Sequence, residues 1–278
     1  MAYHRILTIQ DISCVGQCSM TVALPTLSAC GQETCVLPSA VLSTHTGGFG
    51  QVEICDLSHT ITPFFDHWQR QGVVFDAVYT GYLGKTEDVS KVLNIVQKQK
   101  EQGGTVIIDP AMADHGRMYL GLDAEYAQAM AELCVAADIM LPNITEACLM
   151  TGTPYQQTYD AAWIEQLVLE LSQRSKGTVI LTGVSYDPEQ TGVVICNDGE
   201  MSYYSHKKIP QSYHGTGDIF AAAFTGSFLN GKTVQEAVKI AADYTALCIK
   251  KTFDDPAHWY GVKFETALGA LISMLEQK

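Results

Sequence analysis

Residues 76–109 read DAVYTGYLGKTEDVSKVLNIVQKQKEQGGTVIID. The ends of this stretch, Asp76–Thr80 and Thr105–Asp109, are short β-branched runs bounded by turn residues, and each predicts a buried strand. Between them Glu87–Gln102 carries apolar residues at helical spacing. A strand, a helix and a second strand in so short a span predict a parallel pair joined by a crossover helix, because parallel strands cannot be linked by a tight turn.

The same rhythm continues on both sides. Upstream, Arg5–Ile9 and Thr34–Leu37 predict strands, with helical patterns at Met20–Ala29 and Thr60–Gln71. Downstream, Asp138–Leu141 and Thr178–Thr182 predict strands, with helices over Glu125–Ala136 and Asp160–Gln173. The alternation predicts an α/β fold, a mostly parallel central sheet with helices on both faces. After Thr182 the rhythm changes. Gly192–Cys196 and Met201–Ser205, on either side of Asn197-Asp198-Gly199-Glu200, predict a hairpin with a D-G turn. Asp218–Leu229, Val234–Lys250 and Val262–Glu276 predict closing helices. No repeat, low-complexity tract or linker interrupts the chain, so residues 1–278 are expected to form a single domain.

The chain has 278 residues, 47% of them hydrophobic, enough to bury a full core. Against 17 Lys+Arg stand 30 Asp+Glu, a formal net charge of −13. Such a surface repels phosphate backbones and anionic lipid, so neither nucleic acid nor a membrane is expected as a partner. No apolar run approaches the roughly 18–20 residues of a membrane span. The opening residues, Met1 to Leu7, do not read as a signal peptide, which leads to the expectation of a soluble cytoplasmic protein. Nine cysteines without a C-x-x-C pair predict reduced thiols packed mostly in the core, and no structural metal.

Two stretches resemble phosphate-binding loops. Gly226–Thr233 spells G-x-x-x-x-G-K-T, but it follows a helical pattern where a P-loop follows a strand. The reading that fits its context is a helix stop at Asn230-Gly231 and a capping box of Thr233 with Glu236. His214-Gly215-Thr216-Gly217-Asp218 is different, because it opens an apolar helix. Its glycines let an anion approach backbone N–H groups that the helix start leaves unpaired. Asp218 then stands in the first turn, where it can take a proton from a hydroxyl. Read alone, the segment is equally a capped glycine turn.

In open parallel sheets ligands bind beyond the carboxyl ends of the strands. At those ends lie Asp11, Tyr82, Asp109, Asn143 with Glu146, and Thr182-Gly183. Asp109 and Glu146 offer hard oxygens suited to Mg²⁺, directly or through water, although each alone also reads as an ordinary turn or helix-start acid.

Taken in order, Gly215-Thr216-Gly217-Asp218, Asn143-x-x-Glu146, Asp109-Pro110 and Thr182-Gly183 resemble the ribokinase superfamily, in particular its vitamin kinases. The pyridoxal kinases are the closer resemblance. Gln10, Ser43-Thr44-His45-Thr46 and Gly81-Tyr82-Leu83-Gly84 resemble their vitamin pocket, and Asp109 to Gly116 with Tyr119 resembles their segment over the phosphates. The resemblance runs from about residue 4 to 250.

It implies a ribokinase-like kinase that phosphorylates the 5′-hydroxymethyl group of vitamin B6, using ATP as co-substrate and Mg²⁺, with a monovalent cation as a further expectation. Asp218 would be the base, and Gly215, Thr216 and Gly217 would donate N–H groups to the transferred phosphoryl. Asp109 and Glu146 would organise the metal. Asp114, Tyr119, Asn143, Thr182 and Gly183 would bind ATP. Asp11, Ser13, Thr46 and Tyr82 would bind the vitamin, with the loop Gly47-Gly48-Phe49-Gly50 able to close over it. A homodimer is implied as well. The chain departs from the pattern at Asp11, where pyridoxal kinases often carry Ser, and at Ala113, where Gly is common. Asp11 would pair with a protonated ring nitrogen or favour another heterocycle. The alternatives are a hydroxymethylpyrimidine kinase of thiamine synthesis, which commonly has Cys in place of Asp218, and a non-catalytic B6-binding protein.

Overall fold

A computed structural model describes residues 3–277 and divides them into two compact units. One runs to Asp76 and resumes at Ile209; the other is Ala77–Lys208.

The first unit begins with β1 (Arg5–Ser13), α1 (Met20–Ala29), β2 (Glu33–Leu42), the short β3 (Ile54–Asp56) and α2 (Ile61–Arg70). β1 and β2 pair in parallel from Arg5↔Glu33, with a register shift between Gln10 and Ile12, and β3 pairs antiparallel with β2. β1 runs four residues beyond the apolar run that marks it in the sequence, since Gln10 and Asp11 are polar yet buried.

The second unit carries β4 (Ala77–Thr80), α3 (Thr86–Glu101), β5 (Thr105–Ile108), β6 (Ala113–Asp114), β7 (Arg117–Met118), α4 (Ala124–Val135), β8 (Ile139–Met140), α5 (Ile144–Thr151) and α6 (Ala161–Arg174). It continues through β9 (Thr178–Val184), β10 (Gln190–Asn197) and β11 (Glu200–Lys207). Its sheet order is β11-β10-β9-β8-β5-β4. The pairs β4–β5, β5–β8 and β8–β9 are parallel, and β9–β10–β11 is antiparallel. The β10–β11 turn places Asp198 at φ +50° and Gly199 at φ +82°, the left-handed pair that a two-residue hairpin turn demands.

The first unit resumes with α7 (Thr216–Leu229), α8 (Val234–Thr252) and α9 (Leu268–Glu276). Ile219 to Ser227 of α7 are all buried, so this helix is apolar on every side. Gly226 allows α7 to approach α1, for a Cβ there would lie 2.5 Å from the Cys30 Sγ. The helix expected over Val262–Glu276 is shorter: a 3-10 turn at Phe264–Ala267 precedes α9.

The fold is thus mixed α/β, with a mostly parallel sheet flanked by helices, as the alternation of patterns predicts. The P-loop spelling is a helix–turn–helix. Thr233 and Glu236 form the expected capping box, and Lys232 Nζ donates to the carbonyl of Gln277 at 2.6 Å. All nine cysteines are free, but they are not uniformly core residues. Cys14 and Cys55 are exposed, whereas five others are buried.

Candidate active site

The first unit assembles two acids around one helix start. Gly215 sits at φ +78° and precedes α7 without a side-chain cap bond, so the first N–H groups lack the usual capping partner, the arrangement in which a helix start can receive an anion. A Cβ on Gly215 would lie 2.4 Å from the carbonyl of Gln17, so close approach as well as backbone conformation demands glycine. Thr216 spends its hydroxyl on the carbonyl of Tyr213 at 3.2 Å, leaving its N–H for a ligand. Gly217 has open space where a Cβ would stand.

Burial pushes the Asp218 carboxyl up to about 7; the N–H of Ser19 opposes this and the Asp11 charge adds to it. Asp11 is buried and is likewise shifted up by desolvation, with the hydroxyls of Ser19 and Ser13 opposing. The Ser13 hydroxyl donates to Asp11 Oδ2 at 3.0 Å.

Ser19 went unnoticed in the sequence because a serine before a helix reads as an ordinary cap. Here it makes no side-chain cap bond to α1, and its backbone is at φ +52°. A non-glycine residue in that region stores strain, which concentrates at functional positions. Cys18, beside Gly215, is a second unpredicted member. Burial, then the charges of Asp218 and Asp11, holds its thiol well above the usual range.

Thr46 is exposed, flanked by the buried His45 and the 47–50 loop. His45 lies with its ring centroid 4.9 Å from that of His214 and 5.0 Å from that of Phe49, and Phe49 packs on Trp259 at 4.8 Å.

The second unit gathers its own set. Asp109 follows β5 and is buried, its N–H donating to the carbonyl of Thr80 at 3.0 Å. Asn143 caps α5 in a full capping box: its Oδ1 accepts from Glu146 N at 3.0 Å, and Glu146 Oε2 accepts from Asn143 N at 2.8 Å. The other oxygen, Glu146 Oε1, accepts from Met112 N at 3.1 Å and Ala113 N at 3.5 Å. Asn143 Nδ2 donates to Ala113 O at 2.7 Å, and Gly116 N donates to the Thr145 hydroxyl at 2.9 Å. The β6–β7 hairpin is thereby tied to the start of α5. Its turn, His115 at φ +50° and Gly116 at φ +76°, is the type that two-residue hairpins prefer.

Asp114 lies on this hairpin, exposed and paired with His115 at 2.9 Å, and Tyr119 follows it, its N–H on the Met112 carbonyl. Thr182 adjoins Asn143 through an isolated bridge, and its N–H and hydroxyl both donate to Pro142 O, at 2.9 and 3.3 Å. Gly183 adopts φ +75° inside β9, which continues past the expected end at Thr182. Tyr82 follows β4 and is partly buried.

The acids can be tested against a divalent cation. Among the described residues no group of three or more His, Cys, Asp or Glu is placed to hold a metal ion. Both oxygens of Glu146 already receive backbone N–H groups. Burial pushes its carboxyl up and those amides pull it down. The donor set therefore offers no ready-made cluster of direct ligands, and an ion such as Mg²⁺ would have to keep most of its own water there, with Glu146 reaching it through water.

The chain resembles known proteins in sequence and in fold. The sequence matches the family described as phosphomethylpyrimidine kinase over residues 20–261. It is 30% identical over 185 residues to pyridoxine kinase of Bacillus subtilis, covering 66% of each chain. It is 26% identical over 245 residues to a thiamine biosynthesis multifunctional protein of Corynebacterium efficiens, covering 86% of this chain and 32% of that protein. The chain thus spans about a third and about two thirds of the length of these two curated relatives. Among solved structures, pyridoxal kinase from Lactobacillus plantarum superposes with a TM-score of 0.90 at 30% identity, covering 98% of both chains.

Proposed function

The chain belongs to the phosphomethylpyrimidine kinase family and is a ribokinase-superfamily vitamin kinase close to pyridoxal kinase; from that premise we propose that it transfers the γ-phosphoryl group of ATP to the 5′-hydroxymethyl group of vitamin B6. The observation that carries the reading is the carboxylate of Asp218 in the first turn of a helix that no side chain caps.

Asp218 accepts the proton of the vitamin hydroxyl as its oxygen attacks the γ-phosphorus. The new O–P bond forms while the bond to the β-phosphate oxygen breaks, and that electron pair leaves with ADP. The N–H groups of Gly215, Thr216 and Gly217 hold the equatorial oxygens of the moving group, so the helix start supplies charge stabilisation without reorganisation. By the family resemblance Asp11, Ser13, Thr46 and Tyr82 would contact the vitamin. Asp114, Tyr119, Asn143, Thr182 and Gly183 hold the nucleotide phosphates. When bound, Mg²⁺ would screen phosphate charge, held through Asp109 and water on Glu146. In this reading residues 1–278 work as one ribokinase-like kinase domain, in the cytoplasm and as a homodimer, with a monovalent cation as an added requirement to be assayed.

The test is ATP-dependent phosphorylation of pyridoxal by the wild type and by Asp218→Asn. Loss of a general base should cost about 10²–10⁴-fold in rate, and an unchanged rate would remove Asp218 from its role. A second reading, phosphorylation of hydroxymethylpyrimidine, is favoured by the family description and by the thiamine-synthesis relative. Asp at 218 favours B6, and assaying pyridoxal, pyridoxine, pyridoxamine and hydroxymethylpyrimidine side by side decides between them. Tight pyridoxal binding without ADP formation would instead identify a binding protein.

A further inference from the structure

His45 makes contacts that the proposed reaction does not use. It is buried, with its N–H on the carbonyl of Val15 at 3.1 Å. Its Nε2 lies 2.7 Å from the carbonyl of Tyr260, 215 positions along the chain. Its Nδ1 lies 3.0 Å from the backbone N of Gly47. A carbonyl can only accept and a backbone N–H can only donate. The ring must therefore be neutral, with its proton on Nε2 and a bare Nδ1. Burial, the leading cause, and the neighbouring His214 both favour that neutral form.

The Gly47 bond closes a ring around a single residue, Thr46. It is the histidine counterpart of the turn that Asn and Asp side chains make with the N–H two residues on. The space is tight on every side. A Cβ on Gly16 would lie 2.2 Å from the His45 ring, one on Gly47 2.4 Å from the His214 ring, and one on Gly48 2.7 Å from the Trp259 ring. Phe49 then packs its ring against Trp259 and Tyr260, at 4.8 and 5.9 Å.

We propose that His45 is a positioning residue: as a neutral imidazole it clasps the 47–50 loop to the 258–261 segment and so fixes the backbone of Thr46 against the vitamin. The inference rests on the proposed function for its substrate. The 47–50 loop, expected to be able to close over the vitamin, is held here at Gly47 and at Phe49.

The experiment compares His45→Ala with His45→Asn. Asparagine can restore the turn around Thr46 but cannot reach Tyr260, whereas alanine loses both bonds. His45→Ala should raise KM for pyridoxal about tenfold while leaving kcat within about threefold, and His45→Asn should recover part of that loss. A second readout needs no turnover. With Trp68→Phe and Trp163→Phe in the background, fluorescence reports Trp259 alone, and His45→Ala should make it more accessible to a soluble quencher. Unchanged quenching, an unchanged KM, a collapse of kcat at constant KM, or a His45→Asn enzyme no better than His45→Ala would each overturn the proposal. Should the wild type phosphorylate no B6 vitamer, the functional reading fails, and the Trp259 signal still decides whether the clasp exists.

Discussion

Asp218 is the residue on which pH should act most visibly. Its carboxyl titrates at about 7 in the folded protein, against an ordinary value of 3.8. In the proposed role of base it must be ionised, so kcat/KM for the vitamin should fall as pH drops through about 7. Stability runs the other way. The unfolded chain ionises this acid first, so folding stability is lost as pH rises from about 4 towards 7. Asp218→Asn should therefore melt at the same temperature as wild type near pH 4 and above it at pH 8. Equal melting temperatures at both values would show that the acid is not desolvated. Lys232 gives the complementary expectation. Its ammonium holds the Gln277 carbonyl at an exposed site, so Lys232→Ala should leave kcat and KM for ATP within about twofold and cost at most about 0.5 kcal/mol.

At the scale of elements, Gly215 joins a left-handed backbone to a helix start. Gly215→Ala adds a Cβ 2.4 Å from a backbone oxygen that cannot rotate away. It should cost more than about 1 kcal/mol in chemical denaturation and abolish turnover, because α7 would have to shift. The existence of most elements was legible in the sequence, since β-branched runs and 3.6-residue spacing report burial directly. Their ends were less so. β1 hides its last residues behind polar Gln10 and Asp11, and β3 has all three residues exposed, leaving no pattern to read. Gly215 to Asp218 and Asn143 with Glu146 could be picked out because a helix start has local grammar. Ser19 gives no such signal, and His45 stands out only within the Ser43-Thr44-His45-Thr46 resemblance, because the partners of both lie on other elements far along the chain.

For the whole molecule, the net charge of −13 opposes the approach of a polyanionic nucleotide. Its field is screened beyond about 10 Å at 0.1 M salt. KM for ATP, measured at constant free Mg²⁺, should thus decrease as salt rises from about 0.01 to 0.1 M. A rise would mean that a local basic surface, not the global charge, governs capture. Among the described residues no helix is long and apolar enough to cross a membrane. The free cysteines also sort by depth. Exposed Cys14 and Cys55 should alkylate readily, and Cys18, whose thiolate is disfavoured by burial and two acids, should resist.

Glu146 shows how a genetic result at this protein should be interpreted. One carboxylate gathers amides from Met112, Ala113 and Asn143. Truncating it to alanine would strand those donors at about 1–3 kcal/mol each and let go of the strand pair that bears Asp114. A dead alanine variant would then be a severed guy-rope rather than a vacant ligand position. Only glutamine, keeping an acceptor oxygen for part of that web, separates mooring from chemistry.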